Sequence, residues 1–243
     1  MQIIYNFFIY FIDYLFPYRC LKCFSHTQKE DGLCSNCFKD LNFNYIPYCY
    51  ICGKGFAINI DGINICGSCT AKKPIYDNAR FIIRYDEKSK SLIHAFKYND
   101  KTIFSKIFSK MLFYQYKDYI TKADLIVPVP MHRLKRLLRF YNQTQYLAKS
   151  LSKLSSIDVR SDLLIKHRYT KPQTSFNQKD RKKNVLNSFI FNKKYNIIGK
   201  TILLVDDVIT TGSTIKECTR VLKKAGALKV LVISVASTNN MYN

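Results

Sequence analysis

Four C-x-x-C pairs crowd into residues 20–69: Cys20/Cys23, Cys34/Cys37, Cys49/Cys52 and Cys66/Cys69. The apolar runs between them are too short to build a core, so this stretch needs another source of cohesion. Zinc supplies one, because a C-x2-C knuckle offers two thiolates and two knuckles complete a tetrahedral site. Eight ligands therefore make two sites. Sequential pairing gives Cys20, Cys23, Cys34, Cys37 and Cys49, Cys52, Cys66, Cys69; an interleaved pairing satisfies the same spacing. A secreted disulfide framework would not repeat one short spacing and leave Cys218 over. A redox C-x-x-C does not account for four repeats. The pattern thus places the thiols in a reducing cytosol, with Cys218 expected as a buried, small apolar residue.

The 243 residues are 47% hydrophobic and 14% aromatic, which excludes global disorder. Lys and Arg number 39 against 17 Asp and Glu, a formal charge of +22. Two tetrathiolate zinc sites would lower this only to about +18. The excess concentrates in residues 128–200, with 17 basic and 3 acidic side chains. Such an imbalance favours an anionic partner: nucleic acid, a phosphorylated ligand or an anionic membrane surface.

Three units are expected along the chain. Residues 1–19 carry an apolar segment, Met1 to Phe16, with no Lys or Arg before it, so a signal peptide is not expected. It is short of the ~20 residues needed to span a bilayer. It is expected as a helix docked on the protein, with one edge free for peripheral contact with the inner membrane. Residues 20–73 form the metal-stapled module, which Pro74 closes. Residues 74–243 alternate strand-like and helix-like runs: strands at 80–85, 124–129, 163–165, 201–205 and 230–236, and helices at 103–116, 142–154 and 214–225. That alternation implies an α/β domain with a mainly parallel sheet flanked by helices.

The sharpest motif is Ile202-Leu-Leu-Val-Asp-Asp-Val-Ile-Thr-Thr-Gly-Ser-Thr214. An apolar strand runs into two carboxylates, then a hydroxyl-rich turn, then a helix. Backbone N–H groups of Thr210, Thr211, Gly212, Ser213 and Thr214 at a helix N-terminus can cradle a phosphate. Asp206 and Asp207 can accept from the vicinal hydroxyls of a ribose, or help hold a bridging Mg²⁺. The absence of G-x-x-x-x-G-K-[ST] rules out a P-loop ATPase.

This segment resembles the phosphoribosyl pyrophosphate (PRPP) motif of type I phosphoribosyltransferases. Before it come Leu92-Ile-His-Ala-Phe-Lys-Tyr98, Val127-Pro-Val-Pro-Met-His-Arg133, Arg139-Phe-Tyr-Asn-Gln143, Thr170-Lys-Pro-Gln173 and Arg181-Lys-Lys-Asn-Val185. With the cysteine pairs in front, nearly the whole chain resembles the ComF/ComFC family of competence proteins. One departure is local: Phe140 and Tyr141 stand where the family has glycine and phenylalanine.

The resemblance implies a type I phosphoribosyltransferase-like fold behind a small N-terminal zinc ribbon. It also implies a cytoplasmic role in DNA uptake during natural transformation, on the incoming single strand and beside other DNA-uptake proteins. Catalytic and PRPP-binding roles then fall to Asp206 and Asp207. Thr210, Thr211, Gly212, Ser213 and Thr214 cradle the phosphate, Arg133 meets pyrophosphate, and Mg²⁺ accompanies the PRPP. The cations of the basic segment, Lys179, Lys182 and Lys183 among them, exceed what one small ligand needs and suit single-stranded DNA. The alternative is a salvage phosphoribosyltransferase with an unknown nitrogenous acceptor. A third reading is a zinc-ribbon adaptor whose PRPP site is a relic.

Overall fold

The computed structural model describes residues 18–27, 32–56, 58, 62, 64–98, 101–131, 142–168 and 185–238. The expected N-terminal helix, Arg133, and Lys179, Lys182 and Lys183 lie outside them.

Four strands form one parallel sheet: β1 (Asn78–Arg84), β2 (Leu125–Pro128), β5 (Thr201–Ile209) and β6 (Lys229–Ser237), in the order β1-β6-β5-β2. β3 (Leu164–Lys166) and β4 (Phe189–Phe191) pair as a separate antiparallel ribbon. The zinc-ribbon segment contributes two short helices, α1 (Ser35–Lys39) and α2 (Gly67–Ala71). α3 (Glu87–Tyr98), α4 (Lys101–Ile120), α5 (Gln143–Ser155) and α6 (Ser213–Lys224) complete the fold. The expected fold class, a mainly parallel sheet flanked by helices, is what is seen.

Side chains alternate across the sheet, as strand geometry requires. Ala79, Phe81, Val127, Ile202, Leu204 and Val232 pack on one face against Ile215, Cys218 and Leu222 of α6. Ile82, Ile126, Leu203, Val205, Leu231 and Ile233 pack on the other against Phe96 of α3, Phe108 and Leu112 of α4, and Leu147 and Leu151 of α5. A strand buried on both faces reads as a continuous apolar run, which is why β5 and β6 stand out in the sequence.

The cysteine module is welded into both cores. Cys20, Leu33 and Leu41 join the α3–α4–α5 core. Cys49, Ile51, Cys52, Cys66 and Cys69 join the α6 core. Between the two clusters, the chain covers the outer edge of β1. The Asn44 amide donates to the Ile82 carbonyl, Arg84 to Asn42 and Ala79 to Ile51, at 2.7–2.8 Å. An edge that would otherwise present unpaired amides is thereby closed. At the opposite edge, Ile126 of β2 bridges Val159.

Candidate functional site

β5 does not stop at Val205, where its apolar run ends. β6 is long enough to keep pairing, with Asp206 opposite Ser234 and Ile209 opposite Ser237. On the other side β2 ends at Pro128, opposite Val205. The carboxylates therefore sit inside the last turn of pleat of a strand whose β2-facing side has just become free. This corrects the expected strand of 201–205: the pairing partner, not the local hydropathy, sets its length.

Adjacent residues on a strand point to opposite faces. Asp206 is buried and lies on the α6 side, close enough for its charge to add to burial in pushing up the thiol of Cys218. Burial, with the charge of Asp207 behind it, raises the Asp206 carboxyl well above the usual carboxylate range. Asp207 is partly exposed, and its Oδ2 lies 3.7 Å from Nζ of Lys97 at the end of α3. The Asp207 amide donates to Oδ1 of Asp206 at 2.9 Å, which fixes the buried carboxylate's orientation.

The turn that follows is shaped for an anion. Gly212 is the N-cap of α6 with φ +68°, the left-handed region, and a Cβ built on it would meet nothing within 4 Å. The space over the loop is thus open to a ligand. The Thr211 and Ser213 hydroxyls lie 3.0 Å apart and close the turn on itself. The first amide inside α6 with a helical acceptor is that of Lys216, to the Gly212 carbonyl. Before it the Ser213 amide donates to Thr211 Oγ1 at 3.4 Å, and no acidic residue occupies the first turn. Asp206, Asp207, Thr210, Thr211, Gly212, Ser213 and Thr214 are therefore brought together at the carboxyl end of β5, where parallel sheets take their ligands.

Residues outside the Asp-Asp motif hold this arrangement, several of them from the Leu92–Tyr98 and Arg139–Gln143 segments. Asn142 Nδ2 and Thr144 Oγ1 both donate to the Val129 carbonyl, at 3.2 and 2.8 Å. Gln143 Nε2 donates to the Lys97 carbonyl. The start of α5 thus ties the end of β2 to the end of α3, and so fixes Lys97 beside Asp207. Buried Glu217 accepts from the Asn187 amide at 2.9 Å and pairs with Arg220 at 2.7 Å. Arg220 holds the Glu217 carboxyl below its usual range, and the pair anchors the segment entering β4 onto α6.

The eight cysteines resolve into two tetrads, Cys20/Cys23/Cys34/Cys37 and Cys49/Cys52/Cys66/Cys69, with the ligand atoms of each within 4.8 Å of one another. Pairing is sequential. In the second tetrad, the hydrogen bond with Cys52 pushes Cys49 down to about 4 and drives Cys52 far up, and burial pushes Cys69 up to about 12. In the first, a hydrogen bond from Ser25 lowers Cys23 to about 6, and burial raises Cys37. Four thiolates this close can ionise together only around a cation, and the donor set fits tetrahedral zinc.

A concavity of about 480 Å³ opens elsewhere, lined by Asp124, Asp158, Arg160, Tyr195 and Lys200. It lies at the amino ends of β2 and β5, away from the carboxylates, and its Asp158 and Arg160 already pair at 2.8 Å.

Residues 11–73 match the double zinc ribbon domain and residues 142–241 the phosphoribosyl transferase domain. Competence protein F of Haemophilus influenzae is 30% identical over 230 residues, covering 91% of this chain and 97% of its own. The chain belongs to the competence protein F family. Other members of similar length are DNA utilization protein YhgH of Escherichia coli, 25% identical over 90% of both chains. Competence protein ComFC of Streptococcus pneumoniae is 26% identical over 85% of this chain and 88% of its own. Among solved structures, a glutamine PRPP amidotransferase from B. subtilis aligns with 72% of this chain at 23% identity and TM-score 0.37. This chain spans about a third of that enzyme, 32% of its length, and the likeness is too loose to bear on the site. Among the described residues, no helix is long and apolar enough to cross a membrane.

Proposed function

We propose that this competence protein F family member serves DNA uptake in the cytoplasm, and that its β5–α6 site binds PRPP. The observation that carries the ligand is the open space over Gly212, at the head of a helix and one short turn from Asp206 and Asp207. Amides and hydroxyls from Thr210 to Thr214 take the 5-phosphate. Asp206 and Asp207 accept from the ribose hydroxyls, and Arg133 meets the pyrophosphate. Lys97 balances Asp207 until the ligand arrives. Mg²⁺ bound with the pyrophosphate supplies charge neutralisation. The relatives named for competence and DNA utilization support the DNA-uptake role, and the charge of +22 supports a single-stranded DNA partner.

Titration calorimetry with PRPP and Mg²⁺ tests the ligand. The wild type should bind, and the Asp206→Ala/Asp207→Ala protein should not, with an unchanged circular-dichroism spectrum. Equal affinity in the two would remove the reading. PRPP turnover against a panel of free bases would instead favour a salvage phosphoribosyltransferase.

A further inference from the structure

α4 carries its buried residues and its exposed ones on opposite sides. Phe104, Phe108, Leu112 and Ile120 face the core. Ile103, Lys106, Lys110, Tyr114 and Lys117 are all exposed. At 100° per residue Ile103, Lys106, Lys110 and Tyr114 fall within an arc of about 80° over about 17 Å, and Lys117 follows just past a kink at Tyr116. Tyr114 is 80% exposed, with Ile46 among the most open large hydrophobic side chains of the described fold.

The paired carboxylates of the described fold find their cations elsewhere: Asp40 with Lys22 and Lys88, Asp207 with Lys97, Glu217 with Arg220, Asp77 with Lys223. Among the described residues, no carboxylate lies in salt-bridge reach of Lys106, Lys110 or Lys117. The acidic residue of this helix, Asp118, lies past the kink at Tyr116. α4 also starts at the ligand end of the sheet. Lys97, which meets Asp207, is four residues before its first residue, and the helix then runs back to the start of β2. Ile107, at the stripe's margin, packs against the first cysteine module at Gly32.

We infer that this face of α4 is a track for single-stranded nucleic acid, with Lys106, Lys110 and Lys117 on backbone phosphates and Tyr114 stacking on a base. The inference rests on the DNA reading above and names a surface for it outside the basic segment 128–200. A membrane surface suits the stripe less well. The helix has spent its apolar face on the core, leaving Ile103 and Tyr114 as its exposed apolar groups, too little to enter a bilayer interface. A polyanion needs only the cations and one ring.

The test is fluorescence anisotropy with a labelled thirty-nucleotide oligo-dT, across 50–300 mM salt. Full-length wild type is compared with Lys106→Gln/Lys110→Gln/Lys117→Gln, with Tyr114→Ala and with Lys179→Gln/Lys182→Gln/Lys183→Gln. The α4 triple variant should flatten the slope of log affinity on log salt by about 2, at about 0.7 per phosphate, with affinity at 100 mM salt falling ten-fold or more. Tyr114→Ala should lose about five-fold or more with the slope kept. All four substituted positions on α4 are exposed, so melting temperatures should match wild type. If wild type does not bind the oligonucleotide, the DNA reading fails and takes the track with it. If wild type binds and only the 179/182/183 variant weakens, the DNA reading stands and the track is wrong. If the α4 variant loses binding to phosphatidylglycerol vesicles but not to DNA, the surface is a membrane contact and the inference is overturned.

Discussion

Nζ of Lys97 lies 3.7 Å from Oδ2 of Asp207, across the gap between the end of α3 and the carboxyl end of β5. The pair leaves Asp206 as the odd carboxylate, buried behind it and drawn toward its neutral form. Removing the cation by Lys97→Met should leave two neighbouring carboxylates without compensation in a site that must receive a polyanion. PRPP affinity should fall about ten-fold, equivalent to about 1.4 kcal/mol. The Gln143 bond goes to the Lys97 carbonyl and survives the substitution, so the fold should be unaffected. Calorimetry that found wild-type affinity in the variant would show that Lys97 is only a surface partner of Asp207.

Asp206 gives a pH test with a defined sign. Its folded-state carboxyl holds a proton to higher pH than the unfolded chain does. The stability it contributes through that proton is fully present below the unfolded value, about 3.9. It is lost as pH rises through the raised folded value. At neutral pH the wild type therefore carries the cost of a carboxyl that ionises freely only in the unfolded chain, and Asp206→Asn should melt higher. The gain should shrink steadily as pH is lowered toward about 4, where both proteins are neutral at this position. A melting difference that stayed constant with pH would refute the burial argument. Loss of PRPP binding in the same variant would show stability traded for a ligand.

The zinc tetrads offer a test of how the module is attached. Undamaged protein should hold two zinc ions per chain by elemental analysis. Cys52→Ser should disturb the α6 face, where Ala79 and Phe81 pack beside its tetrad. Cys34→Ser should disturb the α4 face, through Leu33 and Leu41. In either case the cover over β1 is weakened, and amide exchange at Asn44, Ala79 and Arg84 should speed up by an order of magnitude or more. Exchange confined to residues 20–73 would mean that the module and the sheet are energetically separate.

What could be read from the residues and what could not have different physical origins. The cysteine tetrads are legible because a ligand pair needs a fixed short spacing. The phosphate turn is legible because Gly212 must occupy φ +68° at the head of α6. The end of β5 is not, because the apolar run stops at Val205 while the pairing with β6 goes on to Ile209. α3 escapes a periodicity reading because the first of its four deeply buried positions, Ser89, Leu92, Ile93 and Phe96, is a polar serine. Lys97 lies in the Leu92–Tyr98 segment and Glu217 in no motif, but the partner of each, Asp207 or Asn187, shows only when the fold brings the two together. Nor does anything local announce the sequential tetrads as parts of two different cores.

Gly212 allows the ligand role of the turn to be separated from its structural role. A Cβ added there would meet no protein atom within 4 Å, so no packing is lost. The only structural cost of Gly212→Ala is that of holding alanine at φ +68°, about 1–2 kcal/mol. That should lower the melting temperature by a few degrees and leave zinc content and secondary structure intact. The new methyl group, however, would stand in the open space above the head of α6. If a phosphate is cradled there, it is pushed away from the amides of Ser213 and Thr214, and PRPP affinity should drop a hundred-fold or more. Ligand loss far out of proportion to the stability loss is the expected outcome. Should affinity and stability fall together by the same small amount, the phosphate must bind elsewhere, and the turn would be no more than the start of a helix.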